Sequence, residues 1–241
     1  MQKTSLTTIH ASSAKLQAGG RTSTKPPVLL IPFSENWIVY EDDDLLVVNK
    51  PAGLLSVPGR EADPLANLVA QIQTKVPEAL IVHRLDMDTS GLMVLAKNPQ
   101  THRSLSKQFE QRETSKQYQA MCFGRPSMSQ GSVCQPMRCD WENRPLQMID
   151  FKLGKYAHTL WQVEEQLDNH FKVLLTPITG RSHQLRLHMK QLGHPILGDN
   201  LYADQPNQTD FSRLHLHAFR LGFKHPTTQQ QVDFEQIADF W

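Results

Sequence analysis

The chain contains the nonapeptide His83-Arg84-Leu85-Asp86-Met87-Asp88-Thr89-Ser90-Gly91, which lies between an apolar run and a predicted buried strand, Leu92 to Ala96. Its closing Thr-Ser-Gly is typical of a turn, because such residues can fold back and hydrogen-bond the loop. Arg84 stands two residues before Asp86, so in an extended segment both side chains point to the same face. The residues alone leave two interpretations open: an acid positioned for chemistry, or a structural turn aspartate.

A second motif lies where a predicted strand gives way to a helix. It reads Thr179-Gly180-Arg181-Ser182-His183-Gln184-Leu185-Arg186-Leu187-His188, continued by Gly193 to Asp199 and by Tyr202. Unpaired backbone N–H groups and the positive end of the helix dipole attract anions at such a junction, and Arg181 adds a cation. We therefore expect Arg181 to bind a phosphate or a carboxylate such as Asp86. The alternative is an ordinary surface arginine at the end of a strand.

A third motif, Lys116-Gln117-Tyr118, opens a predicted strand. A tyrosine in this position is most often a half-buried sheet residue. Tyr118 could instead present a flat ring on which a base stacks and a hydroxyl for proton transfer.

The nonapeptide, followed by Leu92 and Lys97, resembles the His-Arg-Leu-Asp signature of the RluA family of pseudouridine synthases, which convert uridine to pseudouridine in structured RNA. The similarity extends from about Trp37 to Trp241. It implies that Asp86 is the catalytic aspartate, that Arg181 pairs with it, and that Tyr118 belongs to the active site. It also implies that Arg84 inserts into the RNA when the target uridine is extruded, and that no cofactor is required.

Two further stretches, Asn49 to Arg60 and Cys139 to Pro145, look like the short branch of that family that modifies both rRNA and tRNA. That resemblance implies two substrates, a 23S rRNA hairpin and the first uridine of certain tRNA anticodon loops. It also implies a pseudouridine synthase fold of the α+β class, with a mostly antiparallel mixed sheet, a central catalytic cleft and a few flanking helices.

The formal net charge of +1 and the pI of about 7.8 do not by themselves indicate a nucleic-acid-binding protein. Any RNA site must therefore be a local basic surface. One segment offers such a surface, and its predicted RNA-binding cations are Lys97, Arg103, Lys107 and Lys116, with Arg112 between the last two. The alternative is a solvated helix face.

The sequence predicts two regions. Residues 1–33 contain no Asp or Glu and are rich in Ser and Thr, so they predict a flexible extension, and residues 34–241 predict the catalytic domain. Within that domain three helices are predicted, one opening at Asp63-Pro64, one from Asn98-Pro99 to near Arg112, and one from about Ser182 to Gly193. Strands are predicted at 37–40, 45–48, 92–96, 117–123, 159–163, 171–178 and 230–234.

Composition excludes several classes of protein. The three cysteines lack the spacing of a zinc or redox pair, and no apolar run approaches the roughly 20 residues of a membrane span. We expect a cytoplasmic monomer that binds neither a membrane nor a metal, with Asp42-Asp43-Asp44 as a solvated turn. Three alternative functions stay open: a glycosidase-like hydrolase using Asp86 and Asp88, a non-catalytic RNA-binding module, and, more remotely, a metalloenzyme.

Overall fold

The computed structural model describes residues 31–59, 65–203 and 211–241. Most of the predicted N-terminal extension and the predicted helix start at Asp63-Pro64 lie outside these ranges. Ile31 and Phe33, which the sequence analysis placed in the extension, pack against the buried core. The packed part of the chain therefore includes residues just before the predicted domain boundary.

Three helices and twelve strands make up the described part of the chain, after a short 3-10 turn at Glu35–Trp37. The helices are α1 (Leu68–Gln73), α2 (Pro99–Gln111) and α3 (Gln184–Gln191). The strands are β1 (Ile38–Glu41), β2 (Leu45–Lys50), β3 (Leu80–Ile81), β4 (Ser90–Ala96), β5 (Ser115–Phe123), β6 (Gln130–Cys134), β7 (Met137–Cys139), β8 (Gln147–Ile149), β9 (His158–Gln166), β10 (His170–Pro177), β11 (Leu216–Lys224) and β12 (Gln231–Glu235).

Ten of these strands form one sheet in the order β1-β2-β4-β11-β5-β10-β9-β6, with β12 beside β11 and β3 beside β4. Every pair is antiparallel except β4 and β11. Strands β7 and β8 form a separate hairpin. The predicted α+β class with a mostly antiparallel mixed sheet is thereby confirmed.

The centre of the sheet is buried on both faces. Residues 45–48 of β2 and 92–96 of β4 are continuous apolar runs. Their side chains alternate between two cores because successive residues of a strand point to opposite faces. One core contains Leu46 and Val48, and the other contains Leu45 and Val47. All seven residues of β4 are buried, so the strand that follows the signature nonapeptide is anchored at the middle of the protein.

The helix boundaries follow their capping residues. Helix α2 begins as predicted, because the Asn98 side chain accepts a hydrogen bond from Thr101 N at 2.8 Å and Pro99 occupies the first turn. Helix α1 differs from the prediction: it has only six residues and its cap is Asn67, whose side chain accepts from Ala70 N at 2.9 Å. Leu65, expected on its buried face, precedes the helix and is exposed.

None of the helices within the three described ranges is long and apolar enough to span a membrane.

Candidate active site

The signature nonapeptide forms the loop between β3 and β4, and hydrogen bonds hold its backbone on both sides of Asp86. Before Asp86, the Ser56 hydroxyl donates to the Leu85 carbonyl oxygen at 2.7 Å and accepts from the Leu85 N–H at 3.1 Å. After Asp86, the Gly53 N–H donates to the Met87 carbonyl oxygen at 2.9 Å. The 49–60 motif therefore positions the loop that carries Asp86.

The buried side chain of Lys50 also holds the backbone of this loop. It has 0% exposure, and its ammonium donates to the carbonyl oxygens of Pro51 (2.8 Å), Leu54 (2.7 Å) and Met87 (3.0 Å). Burial lowers the pKa of Lys50 to about 7, against the opposing charges of nearby carboxylates. Three carbonyl acceptors match the three protons of the charged amine, so this lysine ties two backbone segments together.

The loop ends where its backbone meets β11. Gly91 pairs with Ala218, has a φ of +117°, and leaves no room for a side chain, because a Cβ there would lie 2.4 Å from the Ala218 N and O atoms. Next to it, the Ser90 hydroxyl accepts from Arg213 at 2.7 Å and lies 2.8 Å from His217 Nδ1. The glycine of the signature is thus required by a close approach of two strands.

A cleft of about 510 Å³ opens on one side of this loop, and it brings together the three catalytic residues predicted from sequence. Asp86 comes from the loop before β4, Tyr118 from β5, and Arg181 from the segment between β10 and α3. Two of the predicted RNA-binding residues, Arg84 and Lys116, also line it.

The side chain of Asp86 is 27% exposed, and the imidazole of His183 lies within ion-pairing range, with Nε2 3.9 Å from Asp86 Oδ2. The predicted partner Arg181 is placed differently. Its Nε donates to the Tyr156 carbonyl oxygen at 3.2 Å, and no ion pair joins it to Asp86. The expected Arg181–Asp86 pair is therefore corrected, since Arg181 is exposed and its guanidinium is held by the 156–158 segment.

A second arginine of the same motif supplies the buried positive charge. Arg186 lies on α3 with 2% exposure and lines the cleft. Burial lowers its pKa, but its bond to Asp199 and the charges of Asp199, Asp86 and Asp88 outweigh that effect and raise it. Arg186 is therefore a permanent cation whose field reaches Asp86.

Tyr118 is half-buried on β5 and packs against both core clusters beside the cleft. Burial, and then the charge of Asp86, raise the pKa of its hydroxyl. The hydroxyl therefore stays protonated near neutral pH.

The residues on either side of Asp86 face different surroundings. Arg84 is exposed, and its guanidinium lies 3.5 Å from the Ser182 hydroxyl. Asp88 lines a neighbouring cavity and not the cleft of Asp86, with its Oδ2 3.5 Å from Asn200 Nδ2. The two carboxylates thus do not line one cleft as a hydrolytic pair would.

The predicted basic surface divides into three parts. Lys97 is turned away from the cleft: its ammonium contacts Glu41 at 3.0 Å and the Asp42 carbonyl oxygen at 2.7 Å. Arg103 and Lys107 are exposed one turn apart on α2 and do not line the cleft. Lys116 does line it, 5.6 Å from the ring centre of Phe109. Burial, and then the charge of Arg112, lower the pKa of Lys116. The second effect indicates that the charges of Lys116 and Arg112 lie close together.

Sequence reasoning assigned no role to His183, Arg186 or Lys50. Arg186 could have been noticed because it lies inside the second motif, which also contains Asp199. That these two residues form a pair is visible only in the fold. His183 lies in the same motif, and its contacts are with Tyr202 and Asp86.

The predicted turn at Asp42-Asp43-Asp44 has the expected local role. Asp42 Oδ1 accepts from the N–H groups of Asp44 (2.8 Å) and Leu45 (2.9 Å). Within the described ranges Asp42, Asp44 and His225 form the one cluster of potential metal ligands. Protein donors already bind all four carboxylate oxygens of that cluster, so it behaves as a hydrogen-bonded turn.

The sequence and the fold of this chain match those of known proteins. The sequence profile of the family described as RNA pseudouridylate synthase matches residues 44–191. The solved structure of human RNA Pseudouridylate Synthase Domain Containing 1 superimposes with a TM-score of 0.73 at 32% identity, covering 88% of this chain and 87% of that one. The chain belongs to the RNA pseudouridylate synthase family, and it is accordingly an isomerase.

Within that family the chain is similar to enzymes named dual-specificity RNA pseudouridine synthase RluA. The protein of that name from Escherichia coli (strain K12) is 48% identical over 212 residues, which cover 87% of this chain and 97% of the relative. The protein of that name from Vibrio parahaemolyticus is 50% identical over 217 residues, covering 87% of each chain. The predicted membership of the RluA group is confirmed.

Proposed function

We propose that this chain converts uridine to pseudouridine in two kinds of structured RNA, a 23S rRNA hairpin and tRNA anticodon stem-loops. The dual specificity named for relatives about half identical over nearly their whole length supports both substrates. We infer further that the enzyme acts as a cytoplasmic monomer.

Asp86 is the proposed reacting group, and its placement in a cleft between cationic side chains is the observation that carries the proposal. Making pseudouridine breaks the N1–C1′ bond, turns the uracil and joins C5 to C1′, while N1 gains a proton and C5 loses one. The carboxylate has two available tasks, attack at C1′ or removal of a ribose proton, and both need the anion. The field of Arg186 opposes the effect of burial and stabilises that anion. Atoms and electrons balance without a cofactor.

The other cleft residues divide between the base and the RNA chain. A uridine in a folded stem-loop must be extruded, at a cost of a few kcal/mol of unstacking. Tyr118 stacks on the extruded ring, since it borders the cleft with a protonated hydroxyl, and Arg84 enters the space that the base leaves. Arg181 is exposed, so in this proposal it binds a phosphate near the target instead of pairing with Asp86.

The test uses an rRNA hairpin and a tRNA anticodon stem-loop, each labelled with tritium at uridine C5. The proposal predicts tritium release from both RNAs while their chains stay intact and carry no abasic site. Tritium release from only one of the two RNAs would contradict the proposed dual specificity. Free uracil would indicate a hydrolase, and binding without any release would indicate a non-catalytic module.

A further inference from the structure

A chain of hydrogen bonds leads to Asp86 from the β7–β8 hairpin. The Gln147 N–H, at the start of β8, donates to the Tyr202 hydroxyl oxygen at 2.8 Å. That oxygen lies 2.8 Å from His183 Nδ1, and the other ring nitrogen of His183, Nε2, faces Asp86 Oδ2 at 3.9 Å. One backbone N–H group and two side chains, from separate segments, are thus aligned behind the proposed reacting group.

The direction of these bonds fixes where the imidazole proton lies. Tyr202 is 3% exposed and its hydroxyl oxygen already accepts from Gln147. If it also accepted from His183, its own proton would be buried without an acceptor, which is unfavourable. The hydroxyl therefore donates to Nδ1, and the proton of a neutral His183 ring is on Nε2, the atom that faces Asp86.

The backbone at His183 is also unusual. It has a φ of +54° and a ψ of +18°, a left-handed conformation that suits Gly or Asn and is unfavourable for other residues. Its side chain makes no capping bond to α3, although it stands at the N-cap. A strained backbone of this kind persists where the side chain has a task elsewhere.

We propose that His183 is a positioning residue for the isomerisation, which donates its Nε2–H to the Asp86 carboxylate and orients it toward C1′, with Tyr202 selecting the required tautomer. This inference rests on the proposed function. The two atoms lie 3.9 Å apart, and catalytic hydrogen bonds often shorten only when substrate is bound.

Burial keeps the imidazole of His183 neutral, although carboxylates surround it. Asp86 and Asp88 face it from the signature loop, Arg186 from α3, and Asp199 from the segment after α3. Burial lowers the pKa of His183 and Arg186 lowers it further, while the three carboxylates oppose that shift. His183 therefore acts as an oriented donor and not as a second cation.

Two substitutions separate a positioning role from a structural one. In His183→Gln the amide nitrogen reaches about as far as Nε2, so a donor toward Asp86 is kept. In His183→Asn the amide reaches only about as far as Nδ1, so that donor is lost, although Asn is the better residue for a positive φ. The His183→Asn variant should therefore be at least as stable as His183→Gln. The His183→Gln variant should nevertheless be the more active of the two.

The measurement is steady-state tritium release from the RNA that the wild-type enzyme uses, with thermal unfolding of each variant. His183→Asn should lose about 10- to 100-fold in kcat, the usual effect of a hydrogen bond to a charged group, with KM unchanged. His183→Gln should recover most of that loss. Equal activity of the two variants, or activity that follows their stability, would overturn the positioning role. A wild-type enzyme that releases no tritium would overturn the proposed function as well.

A second variant tests the tautomer. Tyr202→Phe removes the bond that holds the proton on Nε2, so the other neutral tautomer becomes accessible and kcat should fall at neutral pH. Protonation of the ring restores the Nε2–H, so this loss should shrink as the pH is lowered. Tyr40→Phe, which removes a hydroxyl bonded to Asp42 outside the cleft, is the matched control and should leave kcat unchanged at every pH. An unchanged kcat in Tyr202→Phe, or a loss that does not depend on pH, would contradict the role of Tyr202.

Discussion

Arg186 holds Asp199 in a buried two-point contact, with Nε donating to Oδ2 at 2.8 Å and a terminal nitrogen donating to Oδ1 at 2.7 Å. Asp199 also accepts from the backbone N–H groups of Leu201 and Tyr202. The pair therefore fastens the segment that carries Tyr202 to α3, which carries the buried cation of the cleft.

Removing one partner of this pair should be costly. Asp199→Asn leaves a buried guanidinium without its counter-charge, and such changes cost about 3–5 kcal/mol. Urea unfolding should show a loss of that size. Glu235→Gln is the control, because its pair with Arg220 is about half exposed and such pairs contribute about 0–1 kcal/mol. Equal losses in the two variants would contradict this assignment.

A methyl group at Gly91 should separate β4 from β11. The Cβ of Gly91→Ala would overlap the Ala218 backbone at 2.4 Å, so the free energy of unfolding should fall by on the order of 4 kcal/mol. Gly193→Ala is the matched control, since its φ is +80° but nothing lies within 4 Å of the new Cβ. That variant should lose only about 1 kcal/mol. Urea unfolding should be measured for both variants. A much larger loss for Gly91→Ala indicates that glycine is required there for lack of space, whereas equal losses would indicate that only the positive φ requires it.

Much of the sheet followed from apolar periodicity. Strand β4 was predictable because its run is continuous and follows a turn-forming sequence. Strand β11 was missed because His217 and Arg220 interrupt its apolar run, and its partners lie far apart in sequence. Helix α1 was predicted too long because an apolar stripe does not show where the cap lies, and the cap proved to be Asn67.

The cleft was predicted in part. The family resemblance brought Asp86 and Tyr118 together, since the residues alone left a structural alternative open for each. It did not distinguish Arg181 from Arg186, because which arginine is buried depends on the packing of α3 and on Asp199. Lys97 was predicted to bind RNA together with Lys116, because the sequence does not show which way each side chain points. In the fold, the ammonium group of Lys97 contacts Glu41.

Acid should destabilise the protein through His83. Burial, together with the charge of Lys116, lowers its pKa to about 3, while the unfolded chain has a value of about 6.5. Between these values the unfolded state binds a proton that the folded state does not, so the free energy of unfolding falls as the pH drops. We expect a loss on the order of 2 kcal/mol between pH 6.5 and 4. His83→Gln should show a shallower dependence, and an unchanged slope would rule out His83 as its source.

RNA affinity should depend on Lys116 and not on Lys97. Lys116 lines the cleft beside Arg112, whereas the charge of Lys97 is already bound by Glu41. Lys116→Ala should weaken binding of a tRNA anticodon stem-loop and reduce the slope of log K against log salt by about 1. Lys97→Ala should leave both quantities unchanged in the same filter-binding titration. A larger effect at Lys97 would place the RNA on the opposite side of α2.

The central claim is that the carboxylate of Asp86 carries the isomerisation. Asp86→Asn keeps the size of the side chain and removes its charge, so the RNA should still bind while the chemistry stops. The direct measurement is tritium release from C5-labelled RNA under single-turnover conditions, alongside the dissociation constant of the same RNA. We predict no detectable release with the dissociation constant within about threefold of wild type, a change under 1 kcal/mol. Release at the wild-type rate would contradict the account.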